Sequence, residues 1–215
     1  MDPARSSRLG AAAAWPARFL LLLAAPALTL AAAGQPPAAG AAEAARVEEV
    51  KAAFVVNFLR YTEWPATSFE TTDSPFVVIV VGDDAVAEAL EEIAERSAPI
   101  AGRPVSVERR PLPGRGSWRY ARLLEELRRS HLLYLGEEVA EGIAAELIED
   151  LDAASVLTVG DRPGFAEAGG MIGLRRSGDR VVFDANPEAI RKTRLLVSAR
   201  VLRLARIVGG PEGPS

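Results

Sequence analysis

The chain has 215 residues, no cysteine, a single histidine and a formal net charge of −4 at pH 7. Without cysteine it can form neither disulfides nor thiolate metal sites, and one histidine argues against a zinc site. The acidic balance argues against nucleic acid as a partner, because phosphate binding needs a basic surface. The length suits one domain whose core has to be stabilised by packing alone.

The N-terminal segment has the features of an export signal. Arg5 and Arg8 supply positive charge, residues 19–33 are apolar or small, and Ala31-Ala32-Ala33 offers the small residues that a signal peptidase requires. The alternative is an uncleaved membrane anchor. A spanning helix needs about 20 apolar residues, however, and this stretch is shorter and contains Pro26. We therefore predict export from the cytoplasm, with no membrane insertion once the signal is removed.

These features divide the chain into three parts. Residues 1–33 are the predicted signal peptide, and residues 34–43, rich in proline, alanine and glycine, are a predicted flexible lead-in. Residues 44–210 then form a single predicted domain. We find no internal repeat in it.

Hydrophobic periodicity predicts the secondary structure. Val47, Val50, Phe54, Phe58 and Tyr61 recur at the spacing of one buried helical face, which predicts a helix from Glu43 to Tyr61. Strands are predicted at 76–81, 104–109, 131–135, 155–159, 171–174 and 180–184, and further helices at 85–96, 118–129, 137–151 and 187–208.

Strands that alternate with helices predict an α/β fold with three layers, in which helices cover both faces of a mostly parallel sheet. The last two strands are joined by a short polar turn and form a predicted antiparallel hairpin at the sheet edge. The final helix opens at Pro187 and carries a wide apolar arc. That arc covers the core, or covers the core and a partner helix together.

The sequence contains no recognisable set of catalytic side chains. His131 begins an apolar strand with no carboxylate, serine or metal partner in its segment, so a structural or hydrogen-bonding role is predicted. No nucleophile elbow or phosphate-binding loop is present. A carboxylate-only Mg²⁺ or Ca²⁺ site stays open, although no loop has an alternating acidic pattern. The pairs Glu48-Glu49, Glu91-Glu92 and Glu137-Glu138 are predicted to be solvated helix surface.

Several residues are candidates for binding a partner or ligand. Asp83 and Asp84 follow Gly82 at the carboxyl end of a predicted strand, where doubly wound sheets bind ligands, and one of them is expected to cap the next helix. Asp161 lies in the loop 160–170, which is predicted at the same edge of the sheet. No catalytic residue, metal ligand or cofactor is predicted.

Two further segments are more specific than packing demands. In the loop 160–170, Phe165 is expected to insert into the domain's own core or to contact a partner, and Gly169 and Gly170 allow a close approach or an unusual backbone conformation. In the segment 180–186, Asn186 is expected to cap the last helix.

The order and spacing of several motifs resemble the YfiR/HmsC-like family of periplasmic proteins. The resemblance covers about residues 46–208, and its motifs are Val50–Phe54 with Asn57-Phe58 and Glu63–Pro65, Leu157–Val159 with Gly164–Ala166 and Gly169–Ile172, and Val182–Asp184 with Asn186, Leu195–Ser198 and Leu202–Ala205.

This resemblance implies a periplasmic repressor that is not an enzyme. Members of the family bind the periplasmic domain of a membrane-bound diguanylate cyclase, keep cyclic-di-GMP and biofilm formation low, and tend to form homodimers. For this chain the expected partner is the periplasmic domain of an inner-membrane sensor, either a diguanylate cyclase or a kinase. The redox role of cysteines in some members does not transfer, because this chain has none. A small-molecule-binding protein is the second hypothesis, and an exported hydrolase, with the least support, is the third.

Overall fold

The protein is described by a computed structural model that covers residues 39–209. The predicted signal peptide lies outside the described residues, as do residues 34–38 of the predicted lead-in. The first helix begins at Ala39, so the end of the segment predicted to be flexible is helical.

The helices and strands follow one another in a mixed order. They are α1 (Ala39–Arg60), β1 (Thr62–Glu63), β2 (Phe76–Val81), α2 (Asp84–Arg96), β3 (Val105–Arg109), α3 (Trp118–Arg128), β4 (Leu132–Leu135), α4 (Glu141–Asp150), β5 (Leu157–Gly160), β6 (Ile172–Ser177), β7 (Arg180–Ala185), α5 (Pro187–Arg191), β8 (Leu196–Val197), α6 (Ala199–Leu204) and β9 (Arg206–Ile207). No helix within residues 39–209 is long and apolar enough to cross a membrane.

Seven strands form the main sheet in the order β3-β2-β4-β5-β6-β7-β9, and β1 and β8 form a separate two-stranded sheet. Strands β2 to β6 pair in parallel, and β6 and β7 form the antiparallel hairpin. The predicted α/β class and the mostly parallel sheet are confirmed. The predicted edge position of the hairpin is wrong, because β9 pairs in parallel with β7 and covers that edge.

Alternate side chains of the central strands fill two apolar cores, one on each face of the sheet. On β2, Val78 and Val80 point to the core that α1 and α2 cover. Ile79 and Val81 point to the core that α3 and α4 cover. A strand buried on both faces has to be apolar throughout, which is why β2 is a continuous apolar run.

The buried face of α1 differs from the predicted one. Phe58 is buried, but Val50 is 38% exposed and Tyr61 is 41% exposed, so the prediction was wrong for these two residues. The fully buried positions lie in the second half of the helix, at Ala52, Val55, Val56, Phe58 and Leu59. The first half contacts the core less, so the prediction of one buried face along the whole helix overestimates its burial.

Helix α4 starts later than predicted. Glu137 and Glu138 lie in a turn in which the Val139 N–H donates to the Gly136 carbonyl oxygen at 3.1 Å. The two glutamates are exposed, as predicted, but they precede the helix instead of belonging to it. Burial of Val139, which is 6% exposed, holds the turn against the core.

The long last helix predicted over 187–208 is wrong, because the segment is divided into α5, β8, α6 and β9. The Thr193 hydroxyl ends α5: it donates to the Ile190 carbonyl at 2.8 Å and accepts from the Leu195 N–H at 3.2 Å. Such side-chain bonds compete with helical ones. The Ser198 N–H then donates to the Tyr61 carbonyl at 2.9 Å. Strand pairing therefore replaces the helix.

The strand order creates a topological switch point between β2 and β4. From β2 the chain passes through α2 to β3 on one side, and from β3 it returns through α3 to β4 on the other side. Helices α2 and α3 cover opposite faces of the sheet. Doubly wound sheets bind ligands outside the carboxyl ends of the strands at such a point.

Candidate functional site

Three acidic side chains converge near the carboxyl ends of the parallel strands. Asp83 follows β2, Asp161 follows β5, and Glu48 reaches them from α1. Each contributes one carboxylate oxygen to a group whose members all lie within 4.8 Å of one another. The structure thus brings together two of the predicted candidates, and it adds Glu48, for which the prediction of a solvated surface residue was wrong.

Lys51 is the basic residue of this cluster. Its Nζ lies 2.6 Å from Oδ2 of Asp161 and donates to Oε1 of Glu48 at 3.1 Å. Burial lowers the pKa of Lys51, but the contacts with Asp161 and Glu48 outweigh that effect and raise the pKa overall. Lys51 therefore stays charged, and it binds two of the three carboxylates.

Tyr134 of β4 lies beneath the carboxylates. The residue is 0% exposed, and its hydroxyl has no hydrogen-bond partner among residues 39–209. Burial raises the pKa of this hydroxyl, and the nearby carboxylates of Asp161, Asp83 and Glu48 raise it further. The hydroxyl thus remains protonated and can either donate or accept a hydrogen bond at the cluster.

Backbone geometry at the switch point positions Asp83. Its Oδ1 accepts from the Val86 N–H at 2.9 Å, so Asp83, and not Asp84, is the cap of α2. A Cβ at Gly136, just after β4, would lie 2.1 Å from the Gly82 carbonyl oxygen. Glycine at position 136 is therefore required for the two strand ends to approach.

Asp161 is held where β5 ends. It is 7% exposed, its Oδ2 pairs with Lys51, and its Oδ1 has no partner within the described part of the chain. The next residue, Arg162, donates from Nε to the Val139 carbonyl at 2.9 Å and so fixes the loop. Asp161 therefore has one buried carboxylate oxygen close to the Tyr134 hydroxyl but without a hydrogen bond of normal geometry among residues 39–209.

Phe165 inserts into the domain's own core, which confirms one of its two predicted roles. The side chain is 3% exposed and packs in the core that α3 and α4 cover. The predicted glycine effects are also present, since Gly169 has a φ of 104° and Gly170 lies directly against the Phe165 ring. These three residues shape the loop and are not part of the carboxylate cluster.

Asn186 caps α5, as predicted, by accepting from the N–H groups of Glu188 and Ala189 at 3.1 Å each. Its Nδ2 also donates to the Ala166 carbonyl at 2.9 Å, so Asn186 joins the loop of Phe165 to the start of α5. The remaining candidate, Asp84, is exposed in the first turn of α2 and does not enter the cluster.

His131 lies at the opposite end of β4 from the carboxylates. Its Nδ1 accepts from the Val77 N–H at 3.0 Å, which confirms the predicted hydrogen-bonding role. Burial, with a smaller contribution from Arg103, lowers the pKa of His131 to about 4. The imidazole is therefore neutral at ordinary pH, and it is separated from the acidic cluster by the length of the strand.

A groove of about 630 Å³ leads to the cluster from the side of α1 and β6. Glu48, Lys51 and Asp161 form part of its wall, and Arg162, Arg175 and Arg176 lie along the remainder. Solvent ions and small solutes can reach the carboxylates along this path.

Glu48, Lys51 and Tyr134 were missed by the sequence analysis. Glu48 is next to a solvated glutamate, and Tyr134 lies within a strand that is apolar on both faces. Neither residue therefore stands out from its neighbours in the sequence. The available signal was Lys51, since only Lys51 and Lys192 are lysines in a chain whose other basic residues are arginines.

The protein is a doubly wound α/β domain, with an acidic, largely buried cluster where the strand order reverses. The chain belongs to the YfiR/HmsC-like family, whose sequence model matches residues 48–206. Proteins of this family are periplasmic regulators that act through protein–protein contact and not through catalysis. No curated protein shows a significant match to the chain.

Proposed function

We propose that this protein is a periplasmic regulatory binding protein that represses a membrane-bound sensor, such as a diguanylate cyclase or a kinase. It would be exported with a cleaved signal peptide and act by docking on the periplasmic domain of that sensor. The observation that carries this proposal is the family match, which spans nearly all of the described domain.

A candidate docking surface lies in the C-terminal part of the domain. Leu196 is 66% exposed, Leu204 is 78% exposed and Ile207 is 50% exposed. Tyr61 is exposed as well. Its carbonyl oxygen accepts a hydrogen bond from the N–H of Ser198, which lies between Leu196 and Leu204 in the chain. Burial of exposed apolar side chains by a partner is favourable, and a few such residues contribute most of the binding energy of an interface.

The same exposed apolar residues are compatible with a homodimer, which the family resemblance also implies. A dimer formed through Leu196, Leu204 and Ile207 would compete with the cyclase for that surface. A dimer formed elsewhere would leave the surface free and present two copies of it. Sedimentation of the protein with and without the sensor domain would separate the two arrangements.

The central experiment measures binding of the mature protein to the purified periplasmic domain of the cyclase. Replacing Leu204 by Glu should weaken binding about 10-fold or more, because a charge would be buried at the contact. Trp118→Glu is the matched control, since Trp118 is 70% exposed on α3, which covers the opposite face of the sheet. The same pair of variants should differ in cellular cyclic-di-GMP.

Two outcomes would argue against the proposal. The first is that no cyclase or related sensor is recovered with the native protein from membranes. The second is that Trp118→Glu and Leu204→Glu weaken binding equally, since that would point to a general effect on the fold or on net charge.

A small-molecule-binding role is a second candidate, favoured by the groove that leads to Asp161 and by a crevice of about 500 Å³ beside Asp83 and Asp84. A ligand that binds only the folded state raises the midpoint of thermal unfolding. A screen of anionic metabolites would test this role, because several arginines line the groove. Binding that Asp84→Asn or Arg176→Gln abolishes would assign the ligand to one of the two spaces.

A further inference from the structure

The carboxylate cluster is short of positive charge. Three carboxyl groups, from Glu48, Asp83 and Asp161, face a single ammonium group, that of Lys51. Asp83 forms no ion pair within residues 39–209, and its Oδ1 accepts a hydrogen bond from the Val86 N–H. With all four groups charged, the cluster carries a net charge of −2.

The pKa values of the acidic groups agree with this imbalance of charge. Burial raises the pKa of Glu48 and of Asp83, and repulsion from Asp161 adds to the effect in both cases. A nearby cation would remove that repulsion. Lys51 satisfies only one side of the cluster, because it contacts Glu48 and Oδ2 of Asp161.

Two polar atoms in the same place have no partner among the described residues. They are Oδ1 of Asp161, in a residue that is 7% exposed, and the hydroxyl of Tyr134, in a residue that is 0% exposed. Leaving a buried polar group unpaired is destabilising, so native proteins rarely do so without a reason. Both atoms belong to the same cluster, since the carboxylates of Asp161, Asp83 and Glu48 all lie close enough to the Tyr134 hydroxyl to raise its pKa.

The donor chemistry suits a hard cation. Carboxylate and hydroxyl oxygens are the ligands of Mg²⁺ and Ca²⁺, whereas zinc prefers histidine and cysteine. Oxygens on opposite sides of a Ca²⁺ ion lie about 4.8 Å apart, twice the usual metal–oxygen distance. The three carboxylate oxygens here lie within that separation.

We propose that Glu48, Asp83 and Asp161 form a binding site for a divalent cation of the Mg²⁺ or Ca²⁺ class, with the Tyr134 hydroxyl beside it. Lys51 holds Oδ2 of Asp161 and leaves Oδ1 for the ion, so the ammonium and the cation occupy different sides of the cluster. The ion enters from the groove, since Glu48, Lys51 and Asp161 form part of its wall. This site is independent of the docking function proposed above.

The test uses the mature protein after treatment with a chelator, and the probes are MgCl₂, CaCl₂ and, at matched ionic strength, KCl. Weak extracellular Ca²⁺ sites have Kd values of about 10⁻⁴–10⁻³ M, so ~10 mM of the divalent salt should saturate the site. We expect it to raise the midpoint of thermal unfolding by several degrees over the KCl control. Titration calorimetry should give about one ion per chain.

Two neighbouring aspartates supply a matched pair of variants. Asp83→Asn keeps an efficient helix cap but removes the charge, so it should fold and should bind the ion at least about 10-fold more weakly. Asp84→Asn removes the same charge from an exposed position one residue away, and it should respond to the ion as the native protein does. Tyr134→Phe should fold without difficulty, because it removes an unpaired hydroxyl.

Terbium provides a local readout. Tb³⁺ replaces Ca²⁺ at oxygen sites and luminesces when a tyrosine close to it absorbs light. We expect luminescence that Ca²⁺ competes away and that Tyr134→Phe strongly reduces.

The proposal is overturned if the divalent salts act no differently from KCl, or if Asp83→Asn and Asp84→Asn lose the response equally. The second result would show that the ions only screen surface charge. Because these readouts need no partner, a negative result leaves the docking proposal untouched, and a failed docking experiment leaves the cation site untouched.

Discussion

The ring of Phe165 occupies the space that a side chain at Gly170 would need. A Cβ at position 170 would lie 2.2 Å from Cε1 of Phe165, and one at Gly160 would lie 2.6 Å from Cδ2 on the other side of the ring. The aromatic ring is thus held between two glycine backbones. The loop after β5, which begins with Asp161, takes its shape from this contact.

Replacing Gly170 by Ala should lower the free energy of unfolding by about 1–3 kcal/mol, because the ring has no room to move in a packed core. Phe165→Ala should cost about 3–5 kcal/mol. In the double variant the alanine at position 170 no longer meets a ring, so its cost should largely disappear. A double-mutant cycle from chemical denaturation measures this coupling.

The control for this cycle is Gly142→Ala, in the first turn of α4, where an added Cβ meets nothing within 4 Å. That change should be neutral or stabilising by up to about 1 kcal/mol, because alanine favours helix over glycine. Strictly additive effects of Gly170→Ala and Phe165→Ala would contradict the contact.

Asp184 joins three segments of the C-terminal half. Arg206 donates to it from Nε at 2.8 Å and from Nη2 at 2.6 Å, and Arg175 donates from Nε at 3.1 Å. Asp184 is 4% exposed, and these arginines lower the pKa of its carboxyl despite its burial. Asp184→Asn should lower the free energy of unfolding by about 1–3 kcal/mol, because hydrogen bonds to a buried charge are lost.

Chemical denaturation of Glu92→Gln gives the comparison, since Glu92 and Arg96 form an exposed pair on α2. The loss there should stay below about 1 kcal/mol. Equal losses in the two variants would mean that Arg206 and Arg175 do not hold β9 and β6 through Asp184.

His131 should make the stability of the protein depend on pH in a mildly acidic range. Its pKa is about 4 in the folded protein, against 6.5 for the unperturbed group, so the unfolded chain takes up a proton first as the pH falls. The contribution is complete above pH 6.5 and is lost as the pH falls to about 4, in total about 3 kcal/mol.

The measurement is the free energy of unfolding between pH 7 and pH 4 for the native protein and for His131→Asn. The asparagine oxygen can accept the Val77 N–H bond but does not titrate, so the variant should lose less stability over this range. Carboxylates titrate equally in both proteins and cancel in the difference. Identical pH profiles would show that His131 is not buried as a neutral group.

The sequence alone determined the class of fold and much of the detail around the strands. Continuous apolar runs such as 76–81 and their alternation with amphipathic helices require a covered parallel sheet. Local chemistry identified the cap Asn186 and limited the cap of α2 to Asp83 or Asp84. These features depend on neighbours within a few residues, and such interactions are encoded locally. The carboxyl edge of the sheet was also recognised as a place where a ligand could bind.

Only the tertiary structure decided the course of the last segment and the membership of the acidic cluster. The apolar spacing over 187–208 suits a helix, but Thr193 ends α5, and pairing with β1 and β7 gives the backbone better partners elsewhere. Glu48, Asp83, Tyr134 and Asp161 come from four separate elements. Their proximity depends on how α1 packs across the ends of β2, β4 and β5, which no local pattern records, because the interacting residues are up to 113 positions apart in the chain.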